Sequence, residues 1–234
     1  MIEALRSGDL EAESAFGYFH SASALLGNST GADRDLDVLQ MHEGFWCLDS
    51  SDVEGSNDDE LAWFQAALNS PARIPLPIGL VMHSAAAAID RLGEWTLSGV
   101  RIQLPLNAHC DSYWRWLETA DLFAVPHEEG GQGAQVTLWL ARSKKQVSEA
   151  ILGWLNEVSI AAFAVATGKP GGTGGQREQF DSRWELRNPG RCVTLRFDVP
   201  EWSVVAVASL VWLLAEAAHH AGANETAVIQ VEKL

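Results

Sequence analysis

The chain has 234 residues and a formal net charge of −15. That length fits one large domain or two small ones, and 47% hydrophobic residues with ten Trp exclude a disordered chain. So acidic a chain is repelled by phosphate backbones, and general nucleic-acid binding is disfavoured.

Asp9 is placed to cap a first helix over residues 9–26, with Glu11 and Glu13 in its first turn and Ala12, Ala15, Phe19, Ala22 and Leu26 on one face. Residues 27–31 (GNSTG) end it. Residues 36–48 read as extended, with Gly44 as a bulge or turn, and the acidic stretch 49–59 reads as a loop. A short helix is predicted from Asp58 or Asp59 to Leu68, closed by Asn69-Ser70-Pro71. Pro71, Pro75 and Pro77 make the next stretch an edge strand or an irregular segment. Residues 84–92 read as a short helix ended by Gly93, and 95–106 as a strand or strand pair. A helix capped by Asn107 or Asp111 comes next. The Gly-rich HEEGGQG, residues 127–133, marks a domain boundary, with halves at 1–126 and 134–234.

The second half is the more regular. Residues 135–140 alternate cleanly, with Val136, Leu138 and Leu140 on one face and Gln135, Thr137 and Trp139 on the other. A helix capped by Ser143 carries the stripe Val147, Ile151, Trp154, Leu155, Val158, Ala162 and Val165, and Gly168 with Pro170 stops it. A loop with five glycines spans 168–179. Strands at 182–187 and 192–199 read as a hairpin across Asn188-Pro189-Gly190. The last helix starts at Asp198 or Pro200 and ends at Gly222. Its apolar residues nearly encircle it, so it is expected to be buried on more than one side. Residues 226–231 form the closing strand.

The order strand, helix, strand, strand, helix, strand is the ferredoxin-like βαββαβ unit, so the fold class expected is α+β. The first half suggests a divergent copy. Glu94-Trp95-Thr96-Leu97, with alternating apolars after it, resembles Arg183-Trp184-Glu185-Leu186, which also precedes alternating apolars. A tandem duplication fits this, and chance recurrence fits as well.

A ferredoxin-like sheet packs helices on one face only. The other face of the second half is expected to carry Gln135, Thr137, Trp139, Arg183, Glu185, Arg187, Thr194, Arg196, Asp198, Val228, Gln230 and Glu232. Within it Trp139, Thr137, Arg183, Arg187 and Arg196 are the candidate ligand-binding residues, able to pair with an anion or stack on an aromatic group, with Arg196 expected beside Trp139. Ordinary cross-strand pairing against the other half is the plainer alternative. Lys169 and Arg177 make the Gly-rich loop a candidate anion site. Its context, between a helix and a strand, is wrong for a P-loop and favours a connector. The histidine clusters lack metal-ligand spacing, so no metal and no cofactor is expected. No nucleophile motif occurs, which leans the chain away from enzymes without excluding them.

Cys47, Cys110 and Cys192 form neither a disulfide framework nor a metal clip, and no leader is read at the N-terminus. A reduced cytoplasmic setting is the expectation. The longest uncharged apolar block, 203–215, is too short to span a bilayer. Residues 1–60 hold fourteen acids against two bases, while the rest of the chain is only −3. This reads first as a solvated surface and second as a docking surface for a basic partner. The function expected is a non-catalytic protein-interaction module. The alternative is a small-molecule binder or enzyme with a pocket between two such sheets, lined by Trp139, Arg196, Thr137 and counterparts such as His42 and Arg101.

Overall fold

The computed structural model describes residues 15–25, 46–52, 62–68, 76–91, 93–109, 132–140, 145–158, 164–170, 192–199 and 201–234. They form a mixed helix and strand structure that divides into two compact units, Met1–Thr96 and Leu97–Leu234. No helix among the described residues is long and apolar enough to cross a membrane.

The first unit contains helix α1 (Ala15–Leu25), strands β1 (Trp46–Asp52) and β2 (Trp63–Leu68), and helix α2 (Ile78–Ile89). β1 and β2 pair antiparallel, with a register shift between Leu48 and Ser50. Phe19 of α1 and Ala88 of α2 are fully buried, with Tyr18, Phe64, Val81 and Ala85 packed against them. The Phe19 and Phe64 rings tilt together at 4.5 Å, and Ser23 returns its hydroxyl to the Phe19 carbonyl at 2.7 Å. Two expectations are corrected here. Trp63–Leu68 is a strand, not a helix, because pairing with β1 outweighs the helix propensity of its Ala and Leu residues. The predicted loop over 49–59 gives up Asp49 to Asp52 to β1 by the same pairing.

The second unit holds β3 (Gly99–Pro105), a 3-10 turn (Leu106–Ala108), β4 (Gln132–Leu140), α3 (Lys145–Val158), β5 (Ala164–Pro170), β6 (Cys192–Val199), α4 (Val204–His220) and β7 (Thr226–Lys233). The five strands make one antiparallel sheet in the order β3-β7-β4-β6-β5. β3, read from sequence with the first half, belongs to this sheet and pairs along its length with β7. The boundary stretch 127–133 gives Gln132 and Gly133 to β4, and its other residues lie outside those described.

β5 is a further correction. Its residues were expected as the end of a helix and the start of a Gly-rich loop, yet they pair with β6 from Ala164↔Asp198 to Pro170↔Val193. β5 has β6 as its neighbour on one side and ends the sheet order on the other, where Gly168 and Pro170 are tolerated. β6 is flanked by β4 and β5. Residues 182–187 lie outside the described residues, as does the helix expected after Asn107.

Helix α4 is the centre of the core. Ser203 caps it, accepting from Ala206 N at 3.2 Å. Two bonds close its far end, Gly222 N to His219 O at 2.8 Å and Ala223 N to Ala218 O at 2.9 Å, with Gly222 at φ +81. That is a Schellman turn, and it needs the left-handed glycine. Its buried residues run from Ala206 to Ala218 with few gaps, so the helix is enclosed on more than one side, as its composition implied. The sheet face that supplies this core carries Ile102 and Leu104 of β3, Ala134, Val136, Leu138 and Leu140 of β4, Val193, Leu195 and Phe197 of β6, and Ala227, Ile229 and Val231 of β7. Each fully buried side chain of Leu or Phe size contributes about 1.5–3 kcal/mol.

Candidate functional site

The strand registers line up the other face of the sheet in ranks, two of them polar and one, Gln103, Val228, Trp139 and Cys192, largely apolar with Val228 fully buried. One polar rank crosses β3, β7, β4 and β6 as Arg101, Gln230, Thr137 and Thr194. The next runs Gly99, Glu232, Gln135 and Arg196. Alternation along each strand therefore brings together the polar set expected from sequence, Gln135, Thr137, Thr194, Arg196, Gln230 and Glu232, and adds Arg101 from β3.

Side chains link the ranks. Arg101 donates to Gln230 Oε1 through Nε at 2.8 Å and Nη2 at 2.6 Å. Gln230 donates to Glu232 Oε1 at 2.7 Å, and Gln135 reaches Glu232 Oε2 at 3.5 Å. The Thr137 and Thr194 hydroxyls stand 3.5 Å apart. The Arg101 guanidinium carbon lies 6.0 Å from the centre of the Trp139 ring, at the outer limit of a cation–π contact. Arg196 and Asp198 are exposed.

Two expectations about this face change. Arg196 stands opposite Gln135, whereas Trp139 stands opposite Cys192, so the cation beside Trp139 is Arg101. Pairing of the right two strands was foreseen; the register, which sets which residues meet, was not. Trp139 and Thr137 are also only 8% and 9% exposed, so neither is a free aromatic or hydroxyl surface. Lys169 sits in β5 rather than in a loop. Arg177, Arg183, Arg187 and His42 lie outside the described residues.

A second cluster lies inside the apolar core. His109 comes just after the 3-10 turn, whose Leu106 is fully buried and bonds to Glu225 O at 3.2 Å. That anchorage leaves His109 within the core, its Nε2 3.0 Å from Glu216 Oε1 of α4. Both side chains are almost wholly buried, and the contact lies off the line of a good hydrogen bond. The His109 ring meets His219 edge-on at 5.3 Å, and His220 stacks on Trp154 at 5.1 Å. Sequence reading weighed the histidines by local spacing alone and missed Glu216. The available signal was Glu216 itself, the only Asp, Glu, Lys or Arg in a long apolar helix, which demands a partner. Among the described residues no three His, Cys, Asp or Glu side chains gather to hold a metal ion.

No family model, no curated protein and no solved structure matches this chain.

Proposed function

We propose that this chain is a non-catalytic protein-interaction module and that the polar sheet face is the surface it offers. The observation that carries the reading is the rank structure of that face. Amides, hydroxyls and charges of both signs stand in register across β3, β7, β4 and β6, with Arg101, Arg196 and Asp198 exposed. A cross-linked ladder of this kind is preorganised to meet the polar groups of another protein at little ordering cost. The acidic excess of residues 1–60 favours a basic partner and speeds its approach.

The fold reading behind it is a ferredoxin-like C-terminal half, supported by the element order β4-α3-β5-β6-α4-β7 and the strand order β7-β4-β6-β5. The duplication is carried by a different correspondence from the one the Trp-x-Leu segments suggested. The order α1-β1-β2-α2-β3 recurs as α3-β5-β6-α4-β7. A reduced cytoplasmic setting belongs to the same proposal, supported by the spacing of the cysteines and the free thiol of Cys192.

The test is capture by the immobilised full chain at low and high salt, set beside the double variant Asp198→Lys/Glu232→Lys, which removes the two carboxylates of this face that a basic partner would pair with. The expected result is one basic protein retained at low salt, released at high salt and lost with the double variant, whose circular dichroism stays unchanged. Equal capture by the folded variant, or no capture at low salt, overturns the proposal.

A further inference from the structure

β3 and β7 pair about a common centre. Ile102 faces Ile229, and the ends match, Gly99 facing Glu232 and Pro105 facing Thr226. Strands paired antiparallel about their midpoints are related by a local two-fold axis, the relation two copies of one strand have in a symmetric dimer. The residues agree with that relation. Val100-Arg101-Ile102-Gln103-Leu104 corresponds to Ala227-Val228-Ile229-Gln230-Val231, with Ile-Gln at the same two places. Each strand also comes after a helix, α2 before β3 and α4 before β7.

β7 is compatible with itself in the same register. A second β7 would set Ile229 against Ile229 and Ala227 against Val231 on the apolar face. Val228 would meet Gln230 and Thr226 would meet Glu232 on the polar face. Lys233 would meet Glu225, an opposite charge, and no like charges would oppose each other. An edge with such an apolar rank is a template for pairing unless it is covered.

We propose that the Thr226–Lys233 edge is a latent interface for a second copy of this chain and that β3 is its built-in cap. The cap is fastened at its entry. Trp202 Nε1 donates to Leu97 O at 2.6 Å, and Lys233 N donates to Ser98 O at 3.0 Å. The inference stands on the register and residues of the two strands and does not require the docking role of the polar face.

The test uses the full chain with Ile102→Pro, which removes an amide from the middle of β3 and cannot hold that strand against β7. Sedimentation over a range of concentrations is paired with hydrogen exchange of the β7 amides. The expected result is self-association at least ten times tighter than in the unaltered chain, with the β3-facing amides of Ala227, Ile229, Val231 and Lys233 protected only at concentrations where the variant is associated. A folded variant that keeps the unaltered association state overturns the proposal. So does one that associates while those amides exchange freely. If circular dichroism shows Ile102→Pro unfolded, Gly99→Val replaces it. A Cβ at position 99 falls 2.8 Å from the Val231 carbonyl oxygen, so this change loosens only the first pair of the strand. The same outcomes decide.

Discussion

At the scale of single residues, the buried His109–Glu216 contact is one that is costly to break from one side. Removing one partner leaves the other buried in an apolar core, whereas replacing both by apolar groups removes the need. Glu216→Leu alone is therefore expected to lower the unfolding free energy by about 3–5 kcal/mol. The double variant His109→Leu/Glu216→Leu is expected to lose less than the single one. Denaturant melts of the chain and the two variants check this, and simple additivity would refute the coupling. The pair was half legible. A lone carboxylate in α4 announces that a partner exists, but the partner lies far away in sequence, beyond the reach of any local pattern. The Arg101–Trp139 contact was hidden for a related reason. Alternation placed Trp139 on the polar face while Arg101 was read with the other half, and which cation meets the ring depends on strand order and register, where a slip of two residues keeps the same alternation.

At the scale of elements, α4 stands on its two ends. Ser203→Ala removes the cap acceptor for Ala206 N and is expected to cost about 1 kcal/mol. Gly222→Ala forces a Cβ into a left-handed turn at φ +81 and is expected to cost about 1–2 kcal/mol. Thermal melts monitored by circular dichroism check both, and a change that leaves the midpoint unmoved would mean that the end in question is held by other contacts. The start of α4, read at Asp198 or Pro200, lies at Ser203 because Asp198 is taken up by β6. Its kind and ending were read correctly, because apolar content and Gly222 are local signals. β2 and β5 were not. Trp63–Leu68 has the composition of a helix and becomes a strand through β1. Ala164–Pro170 contains Gly168 and Pro170, which mark a stop in a helix and an edge in a sheet. Only the presence of β6 decides between them.

At the scale of the whole molecule, charge is the most legible property and strand order the least. The excess of acid in residues 1–60 predicts that partner capture weakens steeply with ionic strength, by about tenfold or more between low and physiological salt. Binding assays run at several salt concentrations check it, and a flat salt profile would place recognition on apolar contacts. The alternation of β4, β6 and β7 made the two faces of the second sheet readable, because each strand must bury one side. The place of β3 in that sheet was not readable, since its alternation fits any sheet with one apolar face.

The sheet order also has a consequence for how the protein is made. β7 lies between β3 and β4, yet it leaves the ribosome after both. Until Thr226–Lys233 has emerged, the nascent chain carries β3 and β4 without the strand that joins them, and α4 without a complete sheet beneath it. Pairing between distant segments is slow, and strands waiting for a partner are prone to aggregate. The sheet of the second unit therefore closes only once Thr226–Lys233 has emerged, and β3 and β4 carry open edges in the interval before it.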